Sequence, residues 1–374
     1  MIEPSKREID ELKMAELIRP SYPVIIYGAG ALGKIAIEKL KTMEIEIVGV
    51  CDSNCEKFGT DFEGYTIQPF EKMISKLSNK YQVVIAVGET YYVEVKNYLL
   101  KFLNESEFYK LNVFECPSVE ISESYKKLIL DNYEICQKVA DLLEDDLSKK
   151  TFYNVIKGRV TFDADYFNSV YDAKQYFNEL TQESDDEYFI DAGAYIGDTL
   201  RQFIEFKQNK FKYILSLEPF EECFEELKMM VISEFDGDKR IEIEKKALSN
   251  QNETIKINQS LGASNSITRA VFEESQTVFE EIETICLDDL NLEKVTFIKM
   301  DIEGSELDAL NGAVGTIRRF TPKLAICVYH KPEDIFVIPN WIQSLNLNYK
   351  YYMRHHGNPN FNQHCETVFY AVPY

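Results

Sequence analysis

Twice along this chain an apolar run ends in a glycine-punctuated turn that opens directly into a helical pattern, and few folds can use that device. The first is Val24-Ile25-Ile26-Tyr27, running into Gly28-Ala29-Gly30-Ala31-Leu32-Gly33, with a helix expected over Lys34–Met43. The second is Tyr188–Asp191, running into Ala192-Gly193-Ala194-Tyr195-Ile196-Gly197-Asp198-Thr199, with a helix expected over Thr199–Lys207. Strands that alternate with helices in this way belong to parallel sheets with right-handed crossovers. The expected class is therefore α/β, with two Rossmann-like doubly wound domains.

A chain of 374 residues accommodates two such domains and a connector. Residues 1–20 read as a short charged helix ending at Pro20. The first domain spans 21–118, with further strands at Ile45–Val50 and Gln82–Val87 and a helix at Tyr91–Leu103. Between 119 and 182 the pattern changes. Leu128, Ile135, Val139 and Leu142 recur at helical spacing, so this stretch reads as a helical connector. The acidic run Glu183–Glu187 opens the second domain, 183–374. Its strands are expected at Tyr188–Asp191, Tyr213–Leu217, Ile241–Lys245, Val295–Met300, Leu324–Tyr329, Tyr349–Met353 and Thr367–Val372. The last two follow each other without a helix, so an otherwise parallel sheet should end in a hairpin-like pair.

Charge narrows the partners. The 41 Lys and Arg against 63 Asp and Glu leave a net of −22, which disfavours nucleic acid and anionic lipid, both bound mainly through basic side chains. No apolar run approaches the ~18–20 residues of a membrane span, and the first residues lack a secretory apolar core. The eight cysteines are scattered without CxxC spacing, as in reduced cytoplasmic proteins. Oligomeric state is not fixed by any of this.

Four groups of residues carry chemistry. Gly28, Gly30 and Gly33 have the spacing that lets a backbone approach a pyrophosphate at a helix N-terminus. Asp52, at the end of the next strand, is placed to hold a ribose diol, so a nucleotide or nucleotide-sugar is the expected ligand. The plain alternative is that these glycines only permit close helix–strand packing. In the second turn Gly193 and Gly197 are separated by three residues, and Asp191 sits inside the strand end. That combination suits S-adenosylmethionine, whose ammonium would meet Asp191 and whose carboxylate would meet backbone N–H groups around Ala194, Asp198 and Thr199. Glu218-Pro219, ending the following strand, would accept both ribose hydroxyls, and Ala247-Leu248 would border the adenine.

The third group is Lys299-Met300-Asp301-Ile302-Glu303-Gly304-Ser305-Glu306, at the end of a strand and opening a helix. In open α/β sheets ligands bind at the carboxyl ends of strands, so Asp301 and Glu303 should share the crevice of Asp191 and Glu218. A capped helix start would account for Ser305 and Glu306 instead. Fourth, all four histidines fall in the last 45 residues. His330 is the candidate base, and Arg354 and Lys299 are candidate substrate contacts. No metal-ligand spacing is present, and no metal is expected.

With these residues assembled, the second half resembles the FkbM family of S-adenosylmethionine-dependent methyltransferases. The likeness rests on Phe189–Thr199, Glu218-Pro219, Leu287-Asp288-Asp289-Leu290, Lys299–Glu306, Tyr329-His330-Lys331-Pro332-Glu333-Asp334 and Tyr351–His355, in that order, and covers about 125–374. It implies a class I methyltransferase fold, a cofactor crevice at Asp191, Gly193, Gly197, Glu218 and Asp301, and transfer to a hydroxyl, often on a sugar. It does not name the acceptor. The first domain is similar to nucleotide-binding domains attached to sugar-modifying enzymes, through Tyr27–Lys34, Gly49–Asp52, Gly59 and Gly64. The mechanism expected is in-line methyl transfer with His330 as base and Asp301 or Glu303 as runner-up. The rival readings are an NAD(P)-dependent oxidoreductase using the Gly28–Gly33 turn, and a non-catalytic nucleotide-sensing module.

Overall fold

The computed structural model describes residues 5–12, 22–42, 44–77, 80–87, 89–103, 108–110, 119–161, 164–181, 186–258, 279–358 and 364–374. The chain forms two compact units. One comprises Lys13–Ser124 with Val160–Asp163, the other Met1–Leu12, Tyr125–Arg159 and Ala164–Tyr374. Among the described residues no helix is long and apolar enough to cross a membrane.

The first unit is built on four parallel strands in the order Ile47–Cys51, Val24–Tyr27, Gln82–Ile85, Phe108–Lys110. Helices cover both faces. Val24, Ile26 and Val84 pack on Ala36 and Leu40 of helix Ala31–Thr42, while Ile25, Val83 and Ile85 pack on Phe70, Val95 and Leu99. With both faces buried there is no polar face to alternate with, which is why Val24–Tyr27 and the run Val83-Val84-Ile85 are apolar throughout. A small antiparallel hairpin, Asp61–Phe62 with Tyr65–Thr66, adds to what the pattern suggested.

In the second unit the seven strands of the main sheet are numbered in chain order. They are β1 (Tyr188–Ala192), β2 (Tyr213–Leu217), β3 (Ile241–Glu244), β4 (Phe297–Met300), β5 (Lys323–Cys327), β6 (Tyr349–His355) and β7 (Thr367–Pro373). Their order across the sheet is β6-β7-β5-β4-β1-β2-β3. β7 runs antiparallel to both neighbours, and the pairs from β5 through β3 are parallel, as the missing helix between the last two strands implied. The chain works outward from β1 to β3, then returns to lay β4 on the other side of β1. That reversal opens a crevice at the carboxyl ends of β1 and β4. Beneath it, Phe189 stacks on Phe203 at 4.3 Å and meets Phe297 at 5.1 Å between ring centres. A separate three-stranded sheet joins Ala247–Leu248, Phe279–Ile285 and Thr254–Asn258, none of which the sequence pattern marked as a strand.

The connector is four helices rather than one: Val119–Asp131, Tyr133–Leu142, Asp146–Thr161 and Ala164–Asn168. The break before the third is set by Asp145, whose Oδ1 accepts the Ser148 N–H at 2.7 Å. Of the N-terminal helix expected over 1–20, the described part is Lys6–Asp10, closed by a reciprocal Ser5–Glu8 capping box. Residues 13–21 lie outside the described ones.

Candidate active site

The turn after β1 explains its glycines sterically. Gly193 has φ +75°, and a Cβ there would lie 1.8 Å from the Asp301 carbonyl oxygen, so the backbones of the β1 and β4 ends meet at this point. The N–H groups of Gly193 and Ala194 both donate to the Leu217 carbonyl at 3.0 Å. Those two amides are thus engaged internally. The helix Asp198–Phe206 that follows presents first-turn N–H groups with no helical partner, as every helix start does. Asp198 is exposed at that start, while Ala194 and Thr199 are buried behind it.

Glu218 ends β2 beside this turn and is 4% exposed. Its Oε2 accepts the Tyr195 N–H at 2.9 Å and its Oε1 the Phe220 N–H at 3.0 Å. Two backbone donors hold the carboxylate in one orientation and leave each oxygen a further lone pair. Pro219 and Ala247 are half-buried, and Leu248 is buried in the small sheet.

Two expected ligand contacts sit elsewhere. Asp191 is fully buried, and Lys299 Nζ lies 3.1 Å from its Oδ1. The same ammonium donates to the Gly193 carbonyl at 2.7 Å and the Ala192 carbonyl at 3.2 Å. Buried among these acceptors, Lys299 is held charged, with the neighbouring Asp191 and Asp301 raising its pKa against the opposing pull of burial. Lys299 therefore ties β4 to the β1 turn from below and faces no substrate. Asp191 is its counter-ion and has no exposed oxygen for a ligand's ammonium. Arg354 is the second displacement. It is 4% exposed and pairs with Asp145 at 2.7 Å while donating to Ser148 at 2.7 Å, which fixes β6 to the connector helices. Of the remaining histidines, His355 contacts Thr367 at 2.9 Å. His356 lies between the Asp172 carbonyl (2.7 Å) and the Tyr370 hydroxyl (3.0 Å). Both are buried structural groups.

Asp301 and His330 do meet. Asp301 follows β4, and its carboxylate accepts the hydroxyls of Tyr176 at 2.8 Å and Tyr329 at 3.1 Å. His330 follows β5, with Nε2 3.3 Å from Asp301 Oδ1 and 3.7 Å from Glu303 Oε2. Its Nδ1 lies 2.8 Å from Oε1 of Glu306, a fully buried carboxylate that also accepts the Ile302 N–H at 3.0 Å. These are close ionic contacts without hydrogen-bond alignment at the ring nitrogens. Burial alone would lower the His330 pKa, but the surrounding carboxylates, Glu306 first, outweigh it and raise the value to about 9. Glu303, at φ +55°, has the most exposed side chain of the group, 42% against 24% for Asp301 and 3% for His330. Glu306, Tyr176 and Tyr329 were not singled out as site residues from sequence. Tyr176 lies 125 positions from Asp301 and carried no local signal.

The first unit gives its glycine turn a packing role. A Cβ on Gly28, at φ +123°, would fall 2.2 Å from the Ala86 carbonyl, and one on Gly33 would fall 2.0 Å from the Gly28 carbonyl. Gly30 meets nothing within 4 Å. Asp52 is where expected but already bonded: it accepts N–H groups from Ala29 and Asn54, both at 2.8 Å, and the Lys57 ammonium at 2.9 Å. Those contacts favour its charged form, and its pKa is lowered despite the opposing effect of burial. A cavity of about 320 Å³ lies at these strand ends, lined by residues including Tyr27, Asp52, Phe70, Glu71, Glu94 and Tyr98. Among the described residues no Lys or Arg lines it, so the described lining offers a pyrophosphate carboxylates and no cation.

Residues 191–357 match the family model of the methyltransferase FkbM domain. Those residues, somewhat under half of the chain, are similar to that domain. Residues 21–108 match a second model, the N-terminal domain of C2185-like proteins. The crystal structure of methyltransferase FkbM from Methylobacillus flagellatus KT superposes with a TM-score of 0.71 at 22% identity, covering 98% of this chain and 92% of that one. An rRNA methylase from Streptococcus thermophilus is matched at 12% identity and TM-score 0.32, over 57% of this chain and 96% of its own. A Streptococcus mutans methyltransferase solved with SAH is matched at 12% identity and TM-score 0.32, over 52% and 93%. No significant match was found among curated proteins. The FkbM match begins at Asp191 and takes in the Gly193 turn, Glu218, Asp301, Glu303, Glu306 and His330.

Proposed function

We propose that the FkbM half transfers the methyl group of S-adenosylmethionine to a hydroxyl of a sugar or glycan-type acceptor. The observation that carries the cofactor reading is Glu218. Its carboxylate is oriented by two N–H groups at the end of β2, beside the glycine turn, and offers paired charged acceptors for a ribose diol. The free amides of the helix starting at Asp198 suit the cofactor's carboxylate. The transferred methyl sits on a sulfonium, so the leaving group needs no acid. Alignment of oxygen, methyl and sulfur is then the main contribution, worth up to ~7–11 kcal/mol.

A proton must leave the acceptor hydroxyl as its bond to the methyl forms, and a positioned base adds roughly 10²–10⁴-fold. Glu303 is our choice, because its carboxylate is the most exposed of the three candidates. Asp301 is already accepting two tyrosine hydroxyls, and His330 is 3% exposed and enclosed by carboxylates that compete for its ring nitrogens.

The test is calorimetric titration of S-adenosylhomocysteine into the wild type and Glu218→Ala, followed by transfer of labelled methyl to a panel of hydroxylated sugars. Micromolar binding that is lost in the variant is expected. No binding to the wild type overturns the cofactor reading, and binding without transfer to any hydroxylated acceptor overturns the acceptor class.

A further inference from the structure

We propose that Asp301, Glu306 and His330 form a binding site for one divalent cation of the Mn²⁺/Mg²⁺ class at the acceptor end of the crevice. The existence of this site stands on its own geometry, and its catalytic meaning rests on the methyl-transfer reading. One ligand atom from each residue lies within 4.8 Å of the other two. Octahedral coordination with bonds of about 2.1 Å places donors roughly 3 Å apart in cis and roughly 4.2 Å apart in trans. An imidazole gives one nitrogen to a given cation, so either the 2.8 Å between Glu306 and His330 Nδ1 or the 3.3 Å between Asp301 and Nε2 supplies a pair near the cis value, with the third ligand atom within the same 4.8 Å.

Burial supplies an independent argument. Glu306 Oε2 and both ring nitrogens of His330 are buried and have no hydrogen-bond partner. Buried polar atoms are nearly always satisfied, so Glu306 Oε2 and one ring nitrogen of His330, beside the Asp301 carboxylate, call for a further partner. Two carboxylates and an imidazole are a donor set that suits Mn²⁺, and Mg²⁺ through its preference for oxygen. Charge agrees, since Glu303 adds a further carboxylate 3.7 Å from Nε2 while the buried ammonium of Lys299 is committed to Asp191 and the β1 turn.

The three ligands come from the end of β4, the start of helix Glu306–Asn311 and the end of β5. The spacing along the chain therefore resembles no metal motif, which is why none is legible in the sequence. A cation held there would take the acceptor hydroxyl as a further ligand, fix its position and lower its pKa, and Glu303 beside it would receive the proton.

The experiment is electron paramagnetic titration of chelator-stripped full-length protein with Mn²⁺ at neutral pH, without cofactor or acceptor. S-adenosylhomocysteine binding is measured on the same samples. One bound Mn²⁺ per chain is expected, displaced by excess Mg²⁺, with affinity reduced about tenfold or more in Asp301→Asn and His330→Gln, while His330→Gln still binds S-adenosylhomocysteine. The proposal is overturned if the wild type leaves all Mn²⁺ free at millimolar concentration, as a protonated His330 bridging two carboxylates would require. Equal Mn²⁺ binding by wild type and both variants would overturn it as well. A protein that binds Mn²⁺ but not S-adenosylhomocysteine would uphold the cation site and remove the methyl-transfer reading, so the two fail separately.

Discussion

Lys299→Met should destabilise the protein by about 3–5 kcal/mol, because it strands the fully buried carboxylate of Asp191 without its counter-ion. Methionine nearly matches the lysine stem, so cavity formation contributes little. The two carbonyls that Nζ serves, at Ala192 and Gly193, lose their donor and add to the loss. Combining Lys299→Met with Asp191→Asn removes the stranded charge and should leave a residual cost of about 1–2 kcal/mol, for those carbonyls. The coupling between the two sites is then at least about 2 kcal/mol. Urea unfolding followed by circular dichroism and by the single tryptophan, Trp341, gives the cycle, provided the two probes report one transition. S-adenosylhomocysteine titration completes the design: with no exposed oxygen, Asp191 contributes no direct ligand contact, so Asp191→Asn should bind within a few-fold of wild type once folded. The reasoning is refuted if Lys299→Met costs under about 1 kcal/mol, or if Asp191→Asn abolishes binding without changing stability.

Gly193→Ala should lose both stability and S-adenosylhomocysteine binding, since its Cβ would lie 1.8 Å from the Asp301 carbonyl; a well-folded variant with normal affinity would contradict the close approach. Arg354→Met should lower unfolding free energy by about 2 kcal/mol, discounted because Asp145 is 39% exposed, yet leave the acceptor KM unchanged; a raised KM would restore Arg354 as a substrate contact. His356 is pulled down to about 4 by burial, while the unfolded chain protonates near 6.5. The unfolded state therefore binds the extra proton between these values, and stability falls as pH drops through that window, by about 3 kcal/mol at pH 4. Urea unfolding from pH 7 to 4 should show a flatter profile for His356→Asn than for wild type, and parallel profiles would refute the assignment.

Local pattern reached far into the fold. Apolar runs at 24–27 and 213–217 coincide with strands because a two-sided buried sheet demands them, and the absence of a helix between Tyr349–His355 and Thr367–Pro373 announced the antiparallel end. Pattern failed where polarity is mixed. The strand Phe279–Ile285 carries Glu280, Glu281 and Glu283, and its pairing with Thr254–Asn258 is a surface ladder whose acidic face imitates a loop. The connector holds four helices whose breaks need no glycine or proline: Asn132 donates its side-chain amide back to the Leu128 carbonyl, and Asp145 caps the next start at Ser148.

Within the site, sequence placed residues at strand ends but could not say what each side chain faces. Asp191 lies within β1 opposite Ser216, fully buried against Lys299, while Glu218 lies just past the end of the neighbouring strand, held by two amides at the crevice. The difference comes from Lys299, 108 positions beyond Asp191, whose ammonium reaches under the turn from the adjacent strand. His330 and Arg354 show the same limit. Both follow or lie within late strands, yet Asp145 on a connector helix draws Arg354 away, while Glu306 draws His330 toward Asp301. A charged residue's role is thus set by which opposite charge the fold brings within about 4 Å, where the pairwise energy in a protein surround reaches several kcal/mol. Strand register fixes which backbone ends converge, but it leaves that choice to groups distant in sequence, 24 positions for Glu306 and His330 and 108 for Lys299 and Asp191. The chemistry of the crevice is therefore decided by Lys299 and Glu306, two side chains that touch the candidate site from behind.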